Sequence, residues 1–592
     1  MALALAACGG EGAIAPAAQR TPRPSTTASE PRTGRTAPPA ETRAPVVLAI
    51  VVDQLSAWVA DERVPRLPAD GFFARLSREG TWARVMRYPY ATTDTAPGHA
   101  ALHTGKVPSE THIVVNEIPD ETSGARTSFF RDPGTKLVTP DGVRDVPGSS
   151  ASALAVPTVA DRLRAARPNA RIVSLSLKDR AALLPAGKRP THALWFDVDE
   201  GAFVTSTAIE PTFPAWARPF GDAAAITRAR AETWEPLDAK WLADNAGKDD
   251  APGEGDLDGL GVTFPHHART ARAFKATPMS DVRILELALA AAQHERNPSE
   301  PLLLLLSMSA SDIIGHTFGP SSWEAWDHLR RLDGSLAGFL TALEAAVGPV
   351  RVVLSGDHGN SAMPEARLPL PASCKATAPP LDPYDRPLCT IGARLEPDEL
   401  RTELRAAAAR SLGRADLVAG VADGYVHLSP AGRALDASKR GVLDRAIRDV
   451  LAGRHRAAVA EVFDVRELAT RCPGVLAAAR GIPDRARAGE DVITLVCRSW
   501  TAGAGAGDYF VVPRHGSFFD GEVVPGKGTS HGTPWLYDRT VPLFVRGAPG
   551  EVDAGALILD PVDFSAYSAV EAAFLGLDPR TPRAVLDALR AR

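Results

Sequence analysis

The stretch "APVVLAIVVD" (44–53) holds seven apolar residues in a row, Val46 to Val52, closed by Asp53. A strand whose odd and even positions are both apolar must bury both faces, which is the habit of strands inside a parallel sheet. The same shape recurs in "ARIVSLSLKD" (170–179), "PLLLLLSMSASD" (301–312), "PVRVVLSGDHG" (349–359) and "TVPLFVRG" (540–547). Between these runs the period changes. "SDVRILELALAAAQH" (280–294) sets Ile284, Leu287, Ala288 and Ala291 at helical spacing, with Ser280 as its expected cap, and "WEAWDHLRRLDGSLAGFLTALEAA" (323–346) repeats the pattern. Alternation of the two predicts an α/β fold, with a mostly parallel central sheet and helices on both faces.

The bulk properties agree with a folded enzyme-sized chain. Of 592 residues, 45% are hydrophobic and 23% charged, enough apolar material for a large core. A net charge of −5 without a Lys/Arg stripe excludes a nucleic-acid footprint. No apolar run approaches the roughly 18–20 residues that span a bilayer. The start, "MALALAACGG", resembles a bacterial lipobox ending at Cys8, and a start codon upstream of Met1 would supply the basic segment that it lacks. Residues 1–8 are therefore expected to be a lipoprotein-type signal. Residues 9–44, rich in Pro and Thr, have too few large apolar side chains to offset ordering entropy and read as a linker. The folded part then runs over 45–592. Within it, 361–505 breaks the rhythm: "PDELRTELRAAAARSL", "GYVHLSP" and "SKRGVLDRAIRDVLAG" read as helix, strand and helix of an inserted α+β lobe. Cys374, Cys389, Cys472 and Cys497 are left after Cys8, and proximity suggests Cys374–Cys389 and Cys472–Cys497 among three possible connectivities.

Charged residues gather where the strands end. Asp53, Lys178 with Asp179, Asp312, and Asp357 with His358 follow four separate strands, and open α/β sheets bind ligands outside the carboxyl ends of their strands. Asp312 and His316 lie four apart, so one helical turn puts both on one face. His531 stands between glycines in "GTSHGTP". Three carboxylates and three imidazoles without a thiolate suit catalytic zinc, and a pair of metals clamps the two oxygens of an in-line displacement. The missing part is a nucleophile. Thr95 in "ATTDTAPGH" (91–99) precedes Pro97, a residue suited to a first helical turn, so its hydroxyl is expected at a helix N-terminus where the dipole favours an alkoxide. A plain cap is the competing reading of Thr95.

In this order, "VVDQ", "TAPGH", "SDIIGH", "GDHG" and "SHGTP" resemble the alkaline phosphatase superfamily, most of all its threonine-nucleophile, phosphate-irrepressible alkaline phosphatases, relatives of the type I phosphodiesterases and nucleotide pyrophosphatases. The resemblance runs from about Val46 to Val545 and makes 45–592 a catalytic domain. It implies two zinc ions per chain. Asp312, His316 and His531 would hold one; Asp53, Asp357, His358 and the Thr95 oxygen would hold the other. It implies that Asn116, in "THIVVNE", contacts a phosphoryl oxygen, and that Lys178 and Arg180, in "SLKDRAA", bind phosphate.

The expected activity is hydrolysis of small phosphate monoesters through a phosphothreonine, by a monomer tethered to a bacterial membrane only through lipid on Cys8, in the periplasm or at the outer membrane. Lys178 and Arg180, two positions apart in an extended segment, would point the same way and favour a dianionic monoester. A phosphodiesterase or nucleotide pyrophosphatase with the same metals is the alternative, and an inactive binding lipoprotein a third. A sulfatase is disfavoured, because its nucleophile derives from cysteine or serine. His99 and His103 read as structural, His266 and His267 as members of a solvated loop, and Trp195 as core.

Overall fold

The computed structural model describes residues 43–590 except 122, 366–379, 389–391, 481–489, 504 and 521–522. The lipobox, nearly all of the linker, Cys374 and Cys389 lie outside the described residues. No described helix is long and apolar enough to cross a membrane.

Five strands run parallel at the centre of a twelve-stranded sheet: β1 (Val46–Val52), β2 (Arg171–Ser176), β3 (His192–Asp197), β4 (Leu302–Met308) and β5 (Val350–Ser355), in spatial order β5-β1-β4-β2-β3. Side chains on β1 alternate between two apolar cores. Val46, Leu48, Ile50 and Val52 enter one, and Val47, Ala49 and Val51 the other. The helices Pro278–Glu295 and Trp323–Val347 cover the first face, and Ala566–Phe574 the second.

Outside this centre the sheet is mixed. The run at 540–547 forms β6 (Thr540–Arg546), which is antiparallel to β5 and to Thr81–Arg87 beyond it. At the other edge Ala202–Ser206 runs antiparallel to β3 and is followed by the hairpin of Arg131–Thr139 and Gly142–Ser149. A fully apolar run reports burial on two faces; strand direction depends on the connection that precedes it.

Register explains why charged residues converge. Val46 pairs with Leu302 and Val350, and Leu302 with Arg171. Counting seven residues from each level position reaches Asp53, Ser309, Asp357 and Lys178. Three of the four are ionisable, and Asp312 follows Ser309 by less than one helical turn.

The lobe has its own core and a four-stranded antiparallel sheet in the order Val418–Ala422, Tyr425–Leu428, Tyr509–Pro513, Val459–Asp464. Helices Pro397–Leu412 and Ala437–Arg448 match the two expected. Because Tyr509–Pro513 pairs within it, the lobe sheet extends past residue 505. A disulfide joins Cys472 to Cys497. Two local expectations fail. Thr277, not Ser280, is the N-cap residue of Pro278–Glu295, since Pro278 starts the helix earlier and the Ser280 hydroxyl donates back to Thr277. His266 is fully buried: pairing of His266–His267 with Thr233–Trp234 turns it inward, where Nε2 meets Glu324 at 2.9 Å.

Candidate active site

Thr95 is the first residue of helix α1 (Thr95–Thr104), and Asp94 occupies the N-cap position. The cap reading of Thr95 thus fails, and its buried hydroxyl is available to another partner. Lys178 Nζ stands 3.0 Å from Thr95 Oγ1. Gly98 lets α1 lie on the end of β5, for a Cβ there would come within 2.3 Å of the Asp357 carbonyl oxygen. One turn in, His99 donates through Nδ1 to the Thr95 carbonyl at 2.8 Å, with Asp357 Oδ2 3.1 Å from the same nitrogen. His103 meets Glu571 at 3.1 Å, away from the strand ends. Both histidines support other residues, as read from the sequence.

Lys178 is the extended N-cap residue of helix α2 (Asp179–Ala186), and Arg180 already belongs to that helix. The two cations are therefore not alternate residues of one extended segment as expected. They still line one cavity of about 1060 Å³, together with Asn116, Asp312 and His316. Lys178 Nζ also reaches Asp312 Oδ2 at 2.6 Å and Asp53 Oδ2 at 2.7 Å. Burial opposes its charge, but Asp312 and Asp53 hold the ammonium above the usual lysine range. Asn116 Oδ1 accepts the Ala96 amide at 2.8 Å, which fixes the carboxamide beside the start of α1.

The expected ligands come together. In helix α3 (Ala310–Phe318) His316 Nε2 lies 3.1 Å from Asp312 Oδ1, one turn apart, and His531 Nε2 lies 3.5 Å from the same oxygen. His358 Nε2 is 3.5 Å from both Asp53 Oδ1 and Asp357 Oδ2. Two groups have spacing suited to a metal ion: Asp53, Asp357 and His358, and Asp312, His358 and His531. His358 is thus common to both, and it stacks on His531 with ring centroids 3.7 Å apart.

Each imidazole is oriented through its other nitrogen. Nδ1 of His316, His358 and His531 contacts the carbonyl of Thr529, Gly359 and Thr93, at 2.8, 3.0 and 3.0 Å. With the proton held on Nδ1, the Nε2 lone pair faces the site, as a metal ligand requires. Burial pushes the His358 imidazole down to about 4, so it is neutral at neutral pH. The fit to a divalent cation rests on the donor set and on orphaned atoms: His358 Nε2 and Asp53 Oδ1 are fully buried, face each other and make no hydrogen bond among the described residues.

A family model for type I phosphodiesterase / nucleotide pyrophosphatase matches residues 47–472. The chain belongs to this family. Over 331 residues it is 32% identical to alkaline phosphatase PafA of Elizabethkingia meningoseptica, covering 54% of this chain and 60% of that one. It is 31% identical over 333 residues to alkaline phosphatase PhoV of Synechococcus elongatus, with the same coverage. These matches span about three-fifths of each relative's length. The crystal structure of wild-type alkaline phosphatase PafA shares the fold, with a TM-score of 0.71 at 24% identity over 91% of this chain and 97% of that one. Membership of the type I phosphodiesterase family agrees with the motif order, which had implied the alkaline phosphatase superfamily and its threonine-nucleophile group.

Sequence reasoning passed over several residues in this family member's site. Gln54, at φ 68°, donates its amide to Asp357 Oδ1 at 3.0 Å and its Nε2 to Asp312 Oδ1 at 2.7 Å, linking the two ligand groups. Asp94 Oδ1 lies 3.1 Å from His531 Nδ1. Both adjoin a residue that was singled out, and adjacency was the signal. Trp195 is core and also walls the cavity.

Proposed function

We propose that the chain hydrolyses phosphate monoesters through a phosphothreonine on Thr95, assisted by two zinc ions. Asp312, His316 and His531 would hold one ion. Asp53, Asp357, His358 and the Thr95 oxygen would hold the other, with His358 close enough to touch both groups. Bound there, zinc would supply Lewis-acid stabilisation of the attacking and leaving oxygens.

The chain's own residues do the rest. Thr95 Oγ attacks phosphorus while the bond to the ester oxygen breaks and the alcohol leaves. Attack by water then frees inorganic phosphate and restores the hydroxyl. The N-terminus of α1 and the Lys178 ammonium both stabilise negative charge as it grows on Oγ. Asn116, held by the Ala96 amide, directs its NH₂ at a phosphoryl oxygen, and Arg180 adds a fork of donors. The observation that carries this reading is the 3.0 Å contact of Lys178 Nζ with Thr95 Oγ1, Lys178 lining one cavity with Arg180 and Asn116. The Cys472–Cys497 disulfide supports an extracytoplasmic location, because such bonds persist in oxidising compartments.

A diesterase would use the same residues, and the size of the cavity leaves room for a second substituent. The two readings differ in what they ask of the cations. A monoester offers the pair one more anionic oxygen than a diester does. The double variant Lys178→Ala, Arg180→Ala should therefore lose about 10²–10³ in rate on phenyl phosphate and much less on the matched diester. Equal losses on both esters would overturn the monoesterase assignment.

A further inference from the structure

Seven cations among the described residues line the cavity, and Lys275 is one of them, together with the proposed phosphate-binding pair. Lys275 follows the short helix Ala271–Phe274, and its neighbours Phe274 and Ala276 are fully buried. Its amide donates to the carbonyls of Arg272 and Ala273, and the Phe274 ring packs on Phe196 at 5.8 Å. Phe196 and Asp197, at the end of β3, form the same stretch of cavity wall. The backbone under Lys275 is thus anchored between buried neighbours, and the residue lines the cavity.

That side chain is poorly compensated. Among the described residues it makes no salt bridge, while Lys178 and Arg180 line the same cavity. Burial and then the charges of Lys178 and Arg180 push the ammonium down to about 8, against the weaker pull of Asp179 and Asp197. A half-buried cation beside two like charges destabilises the fold, and such arrangements are typical of ligand sites. Lys178 is already engaged by Thr95, Asp53 and Asp312, at the metal-ligand end of the cavity. No carboxylate of the ligand set is among the groups that act most strongly on Lys275, which feels Asp179 and Asp197 instead. It lines the same cavity as Lys178 and Arg180, and in a bound monoester any further anionic group belongs to the leaving alcohol.

We propose that Lys275 binds a second anionic group, a carboxylate or a further phosphoryl, on the leaving-group side of the substrate. This rests on the monoesterase reading and narrows it: monoesters whose alcohol carries its own negative charge are the preferred class.

The test compares the wild type with Lys275→Met, which keeps the apolar stem, and with Lys275→Arg, all loaded with zinc. For each, kcat/KM is measured on phenyl phosphate and on 2-carboxyphenyl phosphate. The ratio of the second to the first should fall about 10- to 100-fold in Lys275→Met and recover in Lys275→Arg. Calorimetric titration with inorganic phosphate and methylenediphosphonate, whose P–C–P link offers no P–O bond to the bridging position, gives a readout without turnover; the preference for the diphosphonate should fall by a similar factor. An unchanged ratio in both measurements, or an equal loss on both esters, would overturn the proposal. A wild type that turns over neither ester would sink the monoesterase reading, while the preference for methylenediphosphonate over phosphate still decides the role of Lys275.

Discussion

At the scale of single residues, the site is a set of donors each held by a second contact. His531 shows this best. Its Nδ1 lies 3.0 Å from the Thr93 carbonyl and 3.1 Å from Asp94 Oδ1, and that carboxylate sits at the cap of the nucleophile's own helix. Asp94 makes no side-chain cap bond to α1, so its removal spares the helix. Asp94→Ala should therefore keep the fold and weaken zinc binding about 10- to 100-fold, as loss of an outer carboxylate does at other metal sites. Competition with a chromophoric chelator measures this; unchanged affinity would mean that Thr93 alone orients the ring. The proposed ligands were candidates from sequence because each is a chemically distinctive residue near a strand end, on one helical turn or between glycines. Gln54 and Asp94 were harder to see, since their roles depend on side-chain direction after the chain has turned. Nothing in the pattern around Phe274 tells that Lys275 lines the same cavity as Lys178.

At the scale of elements, equal strand register does much of the assembly. Asp53, Lys178 and Asp357 reach one edge because β1, β2, β4 and β5 are level and each residue lies seven places beyond a paired position. The apolar runs made these strands visible. They could not show that β6 is antiparallel, or that Arg180 lies in a helix, because direction and the exact start of α2 depend on loops with no periodic signal. Away from the site, His192 ties β3 to Glu295 of the helix Pro278–Glu295 and to Glu210, each at 3.1 Å. Burial works against the imidazolium, but these carboxylates raise His192 from 6.5 to about 9. A raised histidine stabilises the folded chain fully below about 6.5, and that stabilisation fades as pH rises through about 9. Hydrogen bonding to His192 lowers Glu295 to about 2, so its share is present above about 4.5 and is lost as pH falls through about 2. The deficit in Tm of His192→Gln should be largest near pH 6 and should shrink towards pH 10. A deficit independent of pH would show that packing against Trp216 matters more than charge.

At the scale of the whole molecule, the proposed metal ligands run from Asp53 to His531 and come from β-strand ends, a helix and a late loop. Cations bound among them cross-link distant parts of the chain, and a ligand that binds only the native state raises its stability. Prolonged chelation should remove two zinc ions per chain and lower Tm, with both restored on adding zinc. Full activity in thoroughly chelated protein would contradict the metal assignment. Four of the five apolar runs entered the parallel centre, and the lobe was legible as an inserted α+β unit but not in how its strands pair. Its sheet closes with Tyr509–Pro513, a strand about 80 residues after the Tyr425–Leu428 strand that it pairs with.

The proposed mechanism requires Thr95 to become phosphorylated during turnover. Zinc-loaded protein should be mixed with phenyl phosphate, quenched in acid within the first turnovers, and digested for peptide mass spectrometry. A phosphoryl group should appear on Thr95 in the wild type and none in Thr95→Ala. Sustained phosphate release by Thr95→Ala at near wild-type rate, or phosphate trapped on a different residue, would contradict it.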